Sequence, residues 1–306
     1  MQLKNLSSLS LLAVLWGSSF LFIKVAVQDI PPFTTVTAVV GIATLVLYLL
    51  LRRQGRRLPK LGSIWIAFAI AGLLHNALPF ALLVFGGQYV DSALAAVLNG
   101  TSPLYALLLA HYFTGDDRLT PAKSLGLLVG FGGLVLLVAP SLLAGVQASA
   151  WGLLAVGAAA ASYGVAIVYS RIKLSQLPSL VAPTAQMGMA TVYALPLAVM
   201  IDQPWQMALP SVNAIGAVLA LALFGTALSY VVYYRLISRM SASQVSMVTY
   251  LVPIVGLVLG IVVLNEQVAW NAYLGCGFIL VGVMFVNGLI KPPRWRHNST
   301  DTALQT

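Results

Sequence analysis

Long apolar runs separated by short polar breaks make up nearly the whole chain, and the runs have the length of a membrane crossing. A helix that crosses a hydrocarbon core about 30 Å thick needs roughly 20 mostly apolar residues. By that measure ten segments qualify, at 8–27, 33–51, 62–86, 91–113, 120–139, 151–171, 180–201, 211–236, 241–264 and 268–290. The breaks carry turn chemistry, including Pro31-Pro32, Gly55, Gly86-Gly87, Gly115, Pro140, Pro178 and Pro204, which suits tight helix-to-helix connections. The expected fold is therefore an all-α membrane protein with ten transmembrane helices. Lys4 ahead of an apolar stretch resembles a signal peptide, but that stretch is long enough to span and is retained as the first helix. Residues 291–306 are polar and are expected to form a disordered cytoplasmic tail.

Composition sharpens this picture. Of 306 residues, 60% are hydrophobic and 8% charged, with a mean hydropathy of +0.94; soluble domains are roughly 45–50% apolar. Cys276 is the only cysteine and the three histidines stand far apart at 75, 111 and 297, so no disulfide framework, metal site or cofactor is expected.

The stretch LRRQGRRLPK at 51–60 places Arg52, Arg53, Arg56, Arg57 and Lys60 in one short loop between the second and third spans. Short loops rich in Lys and Arg stay in the cytoplasm, which fixes both termini inside when the spans alternate. Fifteen of the 16 cations then fall on the cytoplasmic side, while the outer loops hold Asp29, Asp91, Asp202 and Glu266 and no Lys or Arg. The charge of +9 is thus a topological signal in a multi-pass protein of the cytoplasmic membrane. It implies contact with lipid phosphates, not with nucleic acid.

An internal repeat relates the two halves. Pro103 and Pro253 lie 150 residues apart, as do Ala77-Leu78 and Ala227-Leu228; at an offset of 149, Asp117 matches Glu266, Leu125-Gly126 matches Leu274-Gly275, and Gly133 matches Gly282. The repeats are 8–139 and 151–290. Five spans per half is an odd number, so the halves are expected to be inverted, an architecture found in many secondary transporters.

The stretch LLAVLWGSSFLFIKVAVQDIPP, with its Trp-Gly, small pair, Phe, Lys and Pro pair, resembles the first helix of EamA-type transporters of the drug/metabolite transporter superfamily. VDSALAAVLNGTSPLYALLLAHYFTGDDRLTPAKSLGLLVGFGGLVLL and MSASQVSMVTYLVPIVGLVLGIVVLNEQVAWNAYLGCGFILVGVMFV resemble that family's repeated signature for its fourth and fifth helices. The resemblance covers residues 8–290. Two departures stand out: Asp116-Asp117 replaces the family-like Asn265-Glu266 in the first half, and the second half has AAAASYGV where the first has Trp-Gly.

Several residues carry candidate chemistry within the spans. Lys24 either snorkels to the outer headgroups or Asp29, or faces a cavity and attracts a carboxylate. His75 and Asn76 sit mid-span, as interhelical glue or as pathway lining. Trp16, Phe80, Tyr163, Tyr230 and Tyr250, with Asn99 and Gln244, are candidates to line a substrate site, where aromatic packing is the plainer alternative. Tyr105 is a further mid-span aromatic. Pro79, Pro103 and Pro253 are candidate hinges, since each removes an amide donor. GLLVG at 126–130 and GLVLG at 256–260 have the spacing of close helix packing, within one chain or between two, so a monomer and a homodimer both fit. His111 and Asp116 share the His-x4-Asp spacing of some lipid acyltransferases but lack a partner motif, and no nucleotide loop or nucleophile elbow is present.

The resemblance implies a transporter rather than an enzyme, exporting a small organic metabolite from the cytoplasm. Amino acids, aromatic ones above all, are the leading substrate class. The seven acids lie in loops, at helix ends or in the tail, which favours facilitated diffusion by alternating access. A proton-coupled drug or metabolite antiporter and a carrier of phosphorylated metabolites stand as alternatives.

Overall fold

The computed structural model describes residues 3–113, 119–143, 148–178, 180–237 and 248–290, and among these every regular element is helical. Eight helices are long and apolar enough to cross a membrane: α1 (Ser7–Ala26), α2 (Pro32–Arg53), α3 (Ile64–Tyr89), α4 (Ser92–Phe113), α5 (Pro121–Pro140), α6 (Ser149–Leu174), α7 (Val181–Asp202) and α8 (Val212–Tyr233). Two more apolar helices are shorter, α9 (Val248–Leu264) and α10 (Trp270–Val286), at 17 residues each. Eight of the ten predicted crossings thus meet the length criterion over the described residues. The predicted tail, Asp116-Asp117 and Gln244 lie outside those residues.

Side chains such as Ile66, Leu128 and Val262 are exposed on the outside of the bundle, whereas Leu47, Leu98, Leu104 and Ile279 are buried within it. With lipid as solvent this is the expected distribution, since helices satisfy their own backbone and can present apolar residues outward.

Helix contacts come in matched sets. α1 packs on α9 as α6 packs on α4, and α3 packs on α6 as α8 packs on α1; α2 with α7, α4 with α9 and α5 with α10 complete the core. Glycine permits the closest crossings. A Cβ at Gly17 would lie 2.6 Å from Val255 of α9, and one at Gly164 would lie 2.5 Å from Tyr105 of α4. Gly164 follows Tyr163 as Gly17 follows Trp16, so Tyr163-Gly164 fills in α6 the place that Trp-Gly holds in α1. Between α5 and α10 the crossing runs Gly126 against Gly282 and Gly133 against Gly275, where an added Cβ would meet a backbone carbonyl at 2.6–3.0 Å. The small residues of GLLVG and GLVLG likewise pack inside the chain, with Gly130 on Leu104 and Gly256 on Ala96.

Three helices depart from regular α geometry near mid-span. Leu73–Ala77 of α3 and Leu221–Leu228 of α8 are π-helical, and α4 is interrupted at Gly100-Thr101. Pro103 accounts for part of the α4 break: it has no N–H for the Asn99 carbonyl, and the Ser102 hydroxyl donates to that oxygen instead at 2.7 Å. Pro253 packs against the break from α9, close to Gly100.

Candidate functional site

A cavity of about 220 Å³ lies among these irregular segments, smaller than the roughly 300–1,000 Å³ of most ligand pockets and suited to a small solute. Its wall is drawn from both parts of the chain: Trp16, Ser19, Phe20 and Ile23 of α1, Val36 and Val39 of α2, His75 and Phe80 of α3, and Asn99, Ser102 and Pro103 of α4 on one side. Tyr163 of α6, Thr226 and Tyr230 of α8, and Thr249 of α9 stand on the other. No Asp, Glu, Lys or Arg lines it among the described residues.

The polar groups of the wall are hydroxyls, an amide, an indole and an imidazole. The His75 and Tyr163 rings meet edge to face at 5.7 Å and 78°, and Trp16 leans on Tyr233 at 5.4 Å. Asn76 is buried behind the wall and donates from Nδ2 to the Tyr230 hydroxyl at 3.1 Å, tying α3 to α8. His75 Nδ1 and Asn99 Oδ1 are buried without a hydrogen-bond partner. Buried polar atoms are rarely left so, and here both belong to residues of the cavity wall.

Of the residues singled out in the sequence, Trp16, His75, Phe80, Asn99, Tyr163 and Tyr230 line this cavity. Asn76 stands one layer back. Pro79 is buried outside the wall, and Gln244 and the Tyr250 side chain lie outside the described residues. Lys24 is not part of the wall: its ammonium donates to the carbonyl of Val90 at 2.9 Å, at the C-terminal end of α3, where helix carbonyls and the helix dipole favour a cation. The sequence missed Ser19, Ser102, Thr226 and Thr249, small hydroxyls with no pattern of their own. Thr226 was nonetheless reachable, because it is the offset-150 counterpart of Asn76.

The described acids, Asp29, Asp91, Asp202 and Glu266, gather at the same end of the bundle as Lys24. Glu266 accepts from the backbone N–H groups of Ser92 and Ala93 at 2.8 and 2.9 Å, capping α4. The turn that delivers it uses Asn265 at φ +53°, a conformation that Asn tolerates well. Asp202 accepts from the Thr34 amide and hydroxyl at 2.6 and 3.0 Å, and Asp29 accepts from the Ser211 amide at 3.0 Å. Partial burial, helped by the nearby Glu266 charge, raises the pKa of Asp91 above the ordinary aspartate value, with Lys24 acting against the shift. His111 accepts at Nδ1 from the Leu119 amide at 3.2 Å, so its ring closes a loop; Asp116 lies outside the described residues.

Comparison with known proteins agrees with this architecture. A solved crystal structure superposes with a TM-score of 0.66 at 19% identity, covering 96% of this chain and all of that one, a likeness of fold. The uncharacterized transporter YoaV of Bacillus subtilis is 28% identical over 282 residues, covering 90% of this chain and 93% of that protein. The uncharacterized inner membrane transporter YedA of Escherichia coli K12 is 30% identical over 277 residues, covering 90% and 88%. The model of the EamA-like transporter family matches residues 5–139 and again 150–288, and with two such matches filling the helical bundle, the chain belongs to the EamA-like transporter family.

Proposed function

We propose that this chain exports small organic metabolites, aromatic amino acids first among them, across the cytoplasmic membrane by alternating access between two inverted five-helix halves. The observation that carries this reading is the neutral, aromatic-walled cavity built by both halves at a break in α4. Discontinuous helices at the interface between repeats are where secondary transporters place their substrates. Self-matching contacts support the inverted arrangement: Gly126 to Gly282 and Gly133 to Gly275 run antiparallel, and Thr44 meets Thr191 at 3.4 Å with Gly41 and Gly188 three residues before each. With α9 and α10 as the ninth and tenth crossings, the basic loop faces the cytoplasm and the carboxylates face outward.

Trp16, Phe80, Tyr163 and Tyr230 suit a planar side chain, and neutral hydroxyl, amide and imidazole groups meet the polar end. Lys24 is engaged by Val90, so it leaves the recognition of a carboxylate to those neutral groups. A doubly charged phosphate would find no fixed cation in the wall, which disfavours phosphorylated substrates. The lack of a wall carboxylate among the described residues favours facilitated diffusion, and His75 is the wall histidine among them able to couple protons.

The test is competition of unlabelled metabolites against labelled tryptophan in proteoliposomes, with counterflow measured at equal pH on both sides. Competition confined to aromatic amino acids, with counterflow intact, is the expected result. Strict dependence on an imposed pH gradient overturns facilitated diffusion, and indifference to all amino acids overturns the substrate class.

A further inference from the structure

Pro79 sits just beyond the π-helical turn of α3. Within that turn the Leu78 amide donates to the Leu73 carbonyl, five residues back. The next bond in this register would join residue 79 to the Leu74 carbonyl, but proline has no N–H to give. The Leu74 oxygen is instead met at 2.7 Å by the hydroxyl of Ser162, reaching across from α6, and Ser162 is buried. Position 79 has its offset-150 counterpart at Ser229 in α8, next to the second π-helical segment. There the residue keeps its amide, which donates to the Phe224 and Thr226 carbonyls, and its hydroxyl donates within the same helix to the carbonyls of Gly225 and Thr226 at 2.7 and 2.8 Å. In α3 the hydroxyl donor comes instead from a residue of the other half.

From this geometry we infer that Ser162 is a positioning residue for the transport site, holding His75 and Tyr163 in register across the cavity. Leu74 and Ser162 are the immediate chain neighbours of His75 and Tyr163, whose rings meet edge to face in the wall. The one hydrogen bond from Ser162 thus closes a short loop: α3 backbone, His75 ring, Tyr163 ring, α6 backbone. Without it the partly buried Leu74 carbonyl loses the donor that Ser162 supplies, a costly kind of loss, and the π-helical turn has a reason to re-form and turn His75 out of the wall. The inference rests on the central cavity being the transport site.

The experiment uses the full chain in lipid nanodiscs with isotope-labelled histidine, the His75 resonance being assigned by its disappearance in His75→Gln. Ser162→Ala is expected to move the His75 resonance and, in proteoliposomes, to raise the half-saturation concentration for labelled tryptophan roughly tenfold, the scale of one hydrogen bond lost inside a protein. Ser162→Thr, which keeps the hydroxyl, retains both wild-type values. Adding Pro79→Ala to Ser162→Ala returns an amide to the Leu74 carbonyl and brings the resonance back. A His75 resonance unmoved by Ser162→Ala overturns the inference, and so does a shift that Pro79→Ala fails to reverse. If Ser162→Ala does not fold, the double variant decides: recovered folding and signal support the role, and continued failure removes it. A wild-type protein that ignores tryptophan refutes the substrate reading alone, because the resonance is read without substrate.

Discussion

Lys24 and His75 show how far a single residue can be read before its partners are known. Both are polar groups within a span, and in the sequence they have similar claims on a substrate. The structure separates them through contacts that no local pattern encodes: Lys24 meets a backbone carbonyl 66 residues away, while His75 keeps Nδ1 unpartnered in a residue of the wall. The two should therefore fail differently when replaced. Lys24→Gln is expected to lower thermal stability by on the order of 1 kcal/mol, the scale of a cation lost from a helix C-terminus, while leaving the half-saturation concentration for substrate within about twofold. His75→Ala is expected to abolish most transport with unfolding little changed. Transport kinetics and thermal melts on the same preparations check both, and a Lys24→Gln protein with normal stability but weakened substrate binding would return the lysine to the cavity.

At the scale of helices, eight of the ten spans were legible because apolar run length is a direct consequence of bilayer thickness. The glycine crossings were legible too, as matched offsets, although the offsets did not reveal that Gly126 meets Gly282 and Gly133 meets Gly275. The π-helical segments were not. Pro79 and Ser229 stand just beyond two of them, and in α3 the carbonyl that proline leaves without an amide finds its donor on a neighbouring helix. The α5–α10 crossing gives a sharp test. A Cβ at Gly282 would sit 2.5–2.6 Å from the Gly130 amide nitrogen and the Gly126 carbonyl oxygen, so Gly282→Leu must push two backbones apart and is expected to cost about 3 kcal/mol, at the upper end of overpacking. Gly277 lies on the same helix with nothing within 4 Å of an added Cβ, and Gly277→Ala is expected to be neutral or to stabilise by about 0.5 kcal/mol. Thermal unfolding in one detergent compares the pair directly.

Over the whole molecule, three carboxylates bind helix starts in the opposite half of the chain. Asp29 reaches the N-cap of α8, Asp202 the first turn of α2, and Glu266 the first two amides of α4. Charge counting placed these acids at one end, but their role as ties between halves needed the fold. A carboxylate at a helix N-terminus is favoured by both the free amides and the dipole. The Ser211 hydroxyl and then its amide hold Asp29 below the ordinary aspartate value. Its contribution is therefore full above the unfolded pKa and disappears only as pH falls through the lower folded value, beneath about pH 4. Asp91 has the opposite sign. Burial raises its folded pKa, so its charge weakens the fold above that value, and the penalty vanishes as pH falls below the unfolded pKa. Asp91→Asn is accordingly expected to raise the melting temperature at pH 7.5, with a smaller gain at pH 4, close to the unfolded aspartate value, whereas Asp29→Asn is expected to lower it throughout that range. Melts of both variants across pH 4–8 decide the matter: a pH-independent Asp91→Asn effect would mean that its side chain acts by packing, and a stabilising Asp29→Asn would remove that carboxylate from the ties between halves.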